Sequence, residues 1–339
     1  MRRMKDAKDL SMKRIGFWFQ SARAIALPQS LLPAITAVCL ACQEDSFNLL
    51  FALIALIGVA MAHLAFNLLD DYFDYLKKGH LIRERIAAGG MRARLRKCEY
   101  LTSGAATVEQ LLGCIAVFLA MAIICGVAIF ICQGWKVLLF PAIAGVFGFF
   151  YSAPPFKFSY RGIGELVIIL LFGPLLMSGV YYATTGVMSP QLWYISIAIG
   201  MLVGNISYSH DIMDMEADRK SGKLTLCLVL KTRIAIFVVS AIFIFFAYLL
   251  ILAGVVWGGL SLWYLSVFVT LPHAIKLYSL LLQFEKEKKK QFKAQWWMQP
   301  MERWGGITEA GIDWFMIRWF LARNLLIYFC IIIILINLF

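Results

Sequence analysis

The sequence predicts an all-α, polytopic membrane protein. Of its 339 residues, 61% are hydrophobic and only 15% are charged, and the mean hydropathy is +0.78. A soluble domain is about 45–50% apolar and about 25% charged, and a large core does not account for that difference. Only helices and closed barrels satisfy their backbone in lipid, and the sequence lacks barrel-like alternation. The composition therefore excludes a disordered chain, a disulfide-rich secreted scaffold and an ordinary soluble enzyme.

Nine stretches are apolar enough to form transmembrane helices, each of which needs about 20 residues. The first and the fourth are short. In chain order, the stretches are Ala24–Ala41, Asn48–Tyr72, Leu111–Ile131, Val137–Tyr151, Leu166–Tyr182, Leu192–Tyr208, Ile234–Val256, Leu260–Leu280 and Arg323–Leu338.

The basic residues support this count and give an orientation. With nine spans, 31 of the 32 Lys and Arg residues fall on the side of the N-terminus, and only Lys136 falls on the other. Basic loops are typical of the cytoplasmic side. We therefore expect a multi-pass protein of the cell inner membrane, with a cytoplasmic N-terminus and Phe339 on the opposite side. The net charge of +12 then reflects topology and contact with membrane lipids or an anionic substrate, and we expect no nucleic-acid partner.

Two acidic motifs close predicted spans on the cytoplasmic side. In the first motif, Asn67, Asp71 and Asp74 lie at positions i, i+4 and i+7, which share one helix face. Asp70 adjoins this face, and Lys77 follows.

The second motif closes the sixth span. Asp211, Asp214 and Asp218 lie at i, i+3 and i+7, again on one face, and Lys223 follows. Like charges on one face repel, and carboxylates suit hard cations such as Mg²⁺, which also takes phosphate oxygens and waters. Two such faces opposite each other predict Mg²⁺ ions that bridge a diphosphate, with neighbouring lysines and arginines neutralising the remaining charge. For either motif alone, a solvated helix end with ion pairs is the alternative.

The spacing of the two motifs suggests an internal duplication. Placing Asp71 on Asp211 also places Asp74 on Asp214, and both motifs close the second span of a four-span unit. The sequence thus predicts two four-helix repeats plus a ninth helix. Sites at the interface of such repeats are common in membrane proteins.

A third polar segment follows the fourth span. Pro154 and Pro155 end the helix, and the short cytoplasmic loop after them displays Lys157, Tyr160 and Arg161.

At these motifs the sequence resembles the UbiA superfamily of intramembrane aromatic prenyltransferases. The resemblance covers about residues 15–280 of a single domain, 1–339. The motifs that carry it are Asp70-Asp71-x-x-Asp74, with Asp where the family usually has Asn; Asp214-x-x-x-Asp218, followed by Arg219-Lys220-x-Gly222-Lys223-x-Thr225; Ala22-Arg23-x-x-x-Leu27-Pro28; and Leu101-Thr102-Ser103-Gly104.

The resemblance implies a Mg²⁺-dependent transfer of a polyprenyl group from its diphosphate to an aromatic acceptor. The implied metal ligands and catalytic residues are Asp71, Asp74, Asp214 and Asp218, with Lys157 also catalytic. Residues expected to bind or position the substrates are Arg23, Asn67, Asp70, Lys77, Arg92, Arg94, Tyr151, Arg161, Asp211 and Lys223. Rings that would stabilise an allylic cation are Phe66, Phe147, Phe150 and Tyr151.

Within the family, one segment resembles the branch that prenylates 1,4-dihydroxy-2-naphthoate in menaquinone synthesis. It carries Pro155-Phe156 and then Gly162-x-Gly164-Glu165, and it lacks the Lys-Arg-x-Thr-x-x-Pro-Gln run of the hydroxybenzoate branch. Either Arg23 or Lys157 would hold the acceptor's carboxylate. Acceptors that stay open are 4-hydroxybenzoate, homogentisate and a lipid or glycerol acceptor.

Three other classes share single features with this chain. Soluble prenyl diphosphate synthases have a D-D-x-x-D motif but not nine apolar spans. A CDP-alcohol phosphotransferase would need a D-G-x-x-A-R motif, which is missing. A cation-coupled transporter would place ionisable residues near the middle of the membrane, whereas the acidic motifs lie at helix ends.

The sequence departs from the family in two places. Lys78, Gly79 and His80 stand where a further aspartate is usual, so the first metal cluster is expected to have one ligand fewer. Residues 282–315 form a long, basic, Trp-rich connection, which we expect to lie at the membrane interface before a last helix within 316–339.

Overall fold

A computed structural model describes residues 14–77, 81, 98–287 and 290–339. Within these ranges the chain is helical and has no β-strand; a single bridge joins Arg161 and Leu224. The all-α prediction is therefore confirmed. We label the principal helices of the described chain α1 Pro28–Ala41, α2 Leu49–Leu76, α3 Val108–Gln133, α4 Trp135–Ser152, α5 Gly164–Thr185, α6 Gln191–Ser221, α7 Arg233–Trp257, α8 Leu262–Leu282 and α9 Asp313–Leu338.

Helices α2 to α9 are long and apolar enough to cross a membrane, and α1 is shorter. The predicted first span begins at Ala24, but α1 begins only at Pro28. The chain before it turns at Arg23, which has a φ of 57°, and forms a short 3₁₀ turn over Ala24–Ala26. At 14 residues, α1 is about 21 Å long, less than the roughly 30 Å of a bilayer core. The described chain thus has eight candidate spans, and the count of nine stays a prediction.

The last helix begins ten residues before the predicted Arg323, at Asp313. Its first turns are polar, and for that reason a hydropathy window excludes them. Inside the protein these groups are paired: the Asp313 carboxylate accepts from the Phe292 backbone N–H at 2.5 Å, and the buried Arg318 lies 2.8 Å from the Glu287 carboxylate.

The connection before α9 packs against that helix. It contains 3₁₀ turns over Phe284–Glu287 and Trp296–Met298 and a short helix, Trp304–Glu309. The Asn324 amide donates to the carbonyl of Met298 at 2.7 Å, and Arg323 pairs with Glu302 at 2.9 Å. The connection is therefore part of the bundle wall, although Trp296 is exposed.

The packing of the helices agrees with the predicted duplication. The most extensive contacts are α2 against α3 and α6 against α7, the second and third helices of each proposed repeat. Helix α1 packs on α5 and α9, and α6 also packs on α9.

Both acidic motifs lie on helices that continue beyond the predicted spans. Helix α2 ends at Leu76 rather than Tyr72, and α6 ends at Ser221 rather than Tyr208. The end of α6 is set by Gly222, whose φ of 72° is a left-handed conformation that terminates helices. The carboxylates are therefore held on rigid helical turns.

Candidate active site

A cavity of about 2300 Å³ opens beside the first acidic motif. One wall is apolar and built from small side chains of α2 and α3. Its members include Ala55, Gly58, Val59, Ala62, Cys125 and Gly126. The other end is polar, and Arg23, Asn67, Asp70, Asp71 and Tyr100 line it. Such a space suits a molecule with an anionic head and a long apolar tail.

The first acidic motif lies on one face of α2, as the spacing predicts. Asp71 and Asp74 are only 2% and 1% exposed, one turn apart. Asn67, one turn earlier, lines the cavity with Asp70 and Asp71. The helix thus presents Asp70 and Asp71 to the polar end of the cavity, and the buried Asp74 carboxylate follows one turn later.

Arg23 joins the N-terminal segment to this motif. Its guanidinium lies 3.2 Å from an Asp71 carboxylate oxygen and 3.6 Å from one of Asp70, and it donates to the Asn67 carbonyl at 2.9 Å. Burial lowers the pKa of Arg23, but the carboxylates of Asp71 and Asp70 raise it more, so the pKa lies above its ordinary value. Arg23 is therefore a fixed positive charge among the carboxylates.

Tyr100 is a site residue that the sequence does not reveal. Its hydroxyl donates to Asp71 at 3.2 Å, and the neighbouring Cys98 thiol donates to the Asp71 carbonyl at 3.2 Å. Burial and the Asp71 charge raise the pKa of Tyr100, so the hydroxyl stays protonated and remains a donor. The sequence feature that could have identified Tyr100 is its position directly before the family-like Leu101–Gly104 segment.

Residues around the loop after α4 hold the other two carboxylates. The Ser152 hydroxyl donates to Asp70 at 2.5 Å. The Tyr160 hydroxyl donates to Asp74, and the Lys77 ammonium lies 3.6 Å above the Tyr160 ring. The sequence singles out Lys77 and expects Tyr160 to be displayed on the loop, but Tyr160 is half-buried against Asp74. The sequence does not predict either hydroxyl bond.

The second acidic motif lies at the end of α6. Asp211 is buried, and the Lys223 ammonium lies 3.6 Å from Asp211 and 4.0 Å from Asp218. One lysine thus reaches both carboxylates, as expected of residues on one helix face. Asp214, between them, is half-buried.

One segment of the chain contacts the first motif and the residues that directly follow the second. Tyr160 bonds to Asp74 of the first motif, and the Gly162 backbone N–H, two residues later, donates to the Leu224 carbonyl at 2.8 Å. Leu224 directly follows Lys223, the partner of the second motif. The Leu226 backbone N–H also donates to the Glu165 carboxylate, at 3.4 Å. The loop from α4 to α5 therefore ties the two acidic helix ends to one region.

The remaining predicted residues fall into three groups. Arg161 donates to the Pro155 carbonyl at 2.9 Å, within the same loop. Lys157, also in this loop, has a left-handed φ of 49°. Neither residue lines the cavity. Arg92 and Arg94 lie outside the described residues. Of the four proposed aromatic faces, Phe66 and Tyr151 line the cavity. The other two contact rings of the loop: Phe147 stacks on Phe158, and Phe150 meets Phe156 edge to face.

The aspartates suit Mg²⁺ if substrate phosphates and waters complete its coordination shell. Among the residues that the structure describes, no three His, Cys, Asp or Glu side chains are grouped to hold a metal ion. The four implied ligands are two aspartates from each motif, and Mg²⁺ typically takes one or two carboxylates and completes its shell with waters and substrate phosphates. The residues fit a metal that binds together with a diphosphate.

Comparison with known proteins agrees with this geometry. Residues 30–299 match the model of the UbiA prenyltransferase family. The chain is 27% identical over 269 residues to the 1,4-dihydroxy-2-naphthoate octaprenyltransferase of Bacillus subtilis, which spans 79% of this chain and 82% of that protein. It is 26% identical to the UbiA prenyltransferase domain-containing protein 1 of Dictyostelium discoideum, over 84% of each chain.

A solved structure shares the fold. The UbiA homolog from Archaeoglobus fulgidus, bound to DMAPP and Mg²⁺, superposes with a TM-score of 0.56, covers 93% of this chain and 98% of its own, and is 17% identical. With most of the chain matched, the assignment is direct: this multi-pass membrane protein belongs to the UbiA prenyltransferase family and is a prenyltransferase.

Proposed function

We propose that this enzyme transfers a polyprenyl group from its diphosphate to 1,4-dihydroxy-2-naphthoate, with Mg²⁺ as cofactor. The observation that carries the proposal is the placement of buried Asp71 at the polar end of a large cavity with an apolar wall. The names of the bacterial relatives and the Pro155-Phe156 … Gly162-x-Gly164-Glu165 pattern support the naphthoate as acceptor.

The diphosphate belongs at the polar end of the cavity. Asp71 and Asp74 from α2, with Asp214 and Asp218 from α6, would hold Mg²⁺ there. Bound Mg²⁺ supplies charge stabilisation for the departing pyrophosphate. Arg23 and Lys223 already lie against the carboxylates, and either can turn to phosphate oxygens, which attract guanidinium and ammonium groups strongly.

The apolar wall serves the polyprenyl tail, not the diphosphate. It accepts the polyprenyl tail and keeps water from the allylic carbon, which water would otherwise capture. Small side chains line this wall, among them Ala55 and Gly58 on α2 and Cys125 and Gly126 on α3. Phe66 and Tyr151 place aromatic rings beside the polar end, where such rings stabilise cationic charge.

The transfer replaces one bond at prenyl C1 with another. The bond between prenyl C1 and the diphosphate oxygen breaks, and pyrophosphate leaves with the electron pair. The ring carbon that bears the carboxylate forms a bond to C1. The carbon–carboxylate bond then breaks, CO₂ departs, and its electron pair restores the aromatic ring. The product is a prenylated naphthalenediol, and no external oxidant is needed.

We also propose that the polar end faces the cytoplasm of a bacterial-type inner membrane. The basic residues lie on that side in the nine-span arrangement, with the N-terminus cytoplasmic and Phe339 opposite. A soluble naphthoate then reaches the site from the side on which both acidic helix ends open.

A two-acceptor assay tests the substrate. Purified protein in detergent is incubated with Mg²⁺, a polyprenyl diphosphate and either 1,4-dihydroxy-2-naphthoate or 4-hydroxybenzoate, and the products are identified by mass spectrometry. We expect prenylated naphthalenediol and CO₂ from the first acceptor only. Prenylated hydroxybenzoate without a naphthalenediol product would overturn the acceptor and leave the family assignment intact.

A further inference from the structure

A half-buried histidine lines the cavity, two helical turns from the carboxylates of Asp70 and Asp71. His63 is on α2, one turn before Asn67 and two turns before Asp71, and it lines the same cavity. Both of its ring nitrogens are shielded from solvent, and within the described chain neither has a hydrogen-bond partner. An imidazole always carries at least one N–H donor, so burying it without a partner is costly. Buried polar groups without a partner require an explanation, and an absent ligand is one.

The position of His63 divides the cavity. Toward the cytoplasmic end lie Asn67, Asp71 and Arg23, which form the polar end. Toward the other end, the lining residues of α2 are the small apolar Ala62 and its predecessors. Eight residues of helix separate His63 from Asp71, about 12 Å along the axis. That distance leaves room for an aromatic ring between the imidazole and the site of the diphosphate.

An aromatic ring of α5 lies directly beside His63. The Phe172 ring meets the imidazole edge-on, with centroids 5.7 Å apart, and also lines the cavity. Phe172 lies in a π-helical turn, Leu171–Leu175, within α5. Such turns often occur at functional sites, since they redirect side chains that a regular helix would place elsewhere.

We propose that His63 recognises the acceptor by a hydrogen bond to a ring hydroxyl, while Phe172 packs against the acceptor's ring. The inference rests on the proposed function, since it requires an acceptor that is both aromatic and hydroxylated. His63 binds and orients this substrate; the diphosphate and metal are bound elsewhere, at the aspartates. The neutral imidazole offers one donor and one acceptor nitrogen. It can therefore bond to a hydroxyl group that either donates or accepts the hydrogen bond.

The test separates the two substrates kinetically. In full-length enzyme, His63→Leu should raise the KM for the naphthoate about tenfold and leave the KM for the prenyl diphosphate within twofold. His63→Gln, which keeps a donor and an acceptor, should restore most of the affinity. The control is His273→Leu: His273 is a buried histidine of α8 that does not line the cavity and bonds to the Leu321 carbonyl. That control should leave both KM values unchanged.

Acceptor analogues test the same bond in unmodified enzyme. As competitive inhibitors, 1-hydroxy-2-naphthoate and 4-hydroxy-2-naphthoate each lack one hydroxyl. The analogue that lacks the hydroxyl bound by His63 should bind wild-type enzyme about tenfold more weakly than the other. In His63→Leu the two should bind alike.

Three outcomes would overturn the inference. An unchanged naphthoate KM in His63→Leu would exclude the hydrogen bond while the proposed function stands. An equal rise in both KM values would assign His63 to general packing. Equal binding of the two analogues to wild-type enzyme would exclude hydroxyl recognition even if the variants failed to fold. A wild-type enzyme that prenylates no aromatic acceptor would instead refute the proposed function, and this inference with it.

Discussion

Each carboxylate of the first acidic motif is held by a hydroxyl donor from another part of the chain. A hydroxyl that donates to a carboxylate stabilises its charge and fixes its rotamer. The acidic face is therefore ordered before any substrate binds, which spares the cost of arranging it during the reaction. The pairs are Asp70 with Ser152, Asp71 with Tyr100 and Asp74 with Tyr160.

Tyr160→Phe isolates one of these donors. The substitution removes the hydroxyl that reaches Asp74 and keeps the ring beneath Lys77. Because a buried carboxylate then loses a partner, a cost of about 1–3 kcal/mol, we expect turnover to fall roughly tenfold. The measurement is the rate of product formation at saturating substrates.

Tyr182→Phe is the matched control for this experiment. Tyr182 is half-buried on α5, where its ring contacts Phe140 and lies far along the chain from both acidic motifs. Its rate should equal that of the wild type. If Tyr160→Phe also matched the wild type, Tyr160 would have no part in ordering Asp74.

The sequence reveals these carboxylates but not their donors. A face shared by Asn67, Asp71 and Asp74 follows from helical spacing alone. Tyr100 and Ser152, in contrast, lie 29 and 82 residues from the aspartates that they bind. No local pattern encodes such pairs, because the folding of the bundle brings them together.

At the scale of helices, close backbone contact between α5 and α6 supports the π-helical turn. A Cβ built on Gly173 would lie 2.3 Å from the Ser196 carbonyl oxygen, and one on Gly200 would lie 2.6 Å from the Ile169 carbonyl oxygen. Only glycine permits this approach, and the turn that carries Phe172 is next to it.

Gly200→Ala should therefore destabilise the bundle. The new methyl group meets backbone rather than a movable side chain, and overpacking of this kind costs about 1–3 kcal/mol or more. We expect a lower midpoint of thermal unfolding in detergent. Gly113→Ala on α3, where a Cβ would have nothing within 4 Å, should be neutral or slightly stabilising. Equal midpoints for the two variants would contradict the account of this contact.

The helices themselves could be predicted better than their ends. Hydropathy locates the apolar centres, but it stops where charges begin. For this reason it misses the last turns of α6, which carry Asp211 and Asp214, and the first turns of α9, which carry Arg318. Those charges are tolerated because they face partners inside the protein, as Arg318 faces Glu287. Sequence alone does not show such pairing.

At the scale of the whole molecule, charge asymmetry gives a testable orientation. In a cysteine-free background, a thiol introduced by Arg92→Cys should resist a membrane-impermeant maleimide added to intact cells, because we place residue 92 in the cytoplasm. In a second variant that keeps Cys132 as its sole cysteine, this residue, exposed at the end of α3, should be labelled from outside. Labelling of the introduced thiol and protection of Cys132 would reverse the orientation.

We propose that the two acidic helix ends act together on one diphosphate. The most direct measurement is Mg²⁺-dependent product formation by the wild type, Asp71→Asn and Asp214→Asn, with Asp45→Asn as an exposed control from the other side of the bundle. Each of the first two variants should lose activity at least about a hundredfold while eluting as a folded protein, and the control should retain it. Full activity in either variant, or in the wild type with excess EDTA, would contradict a shared metal–diphosphate site.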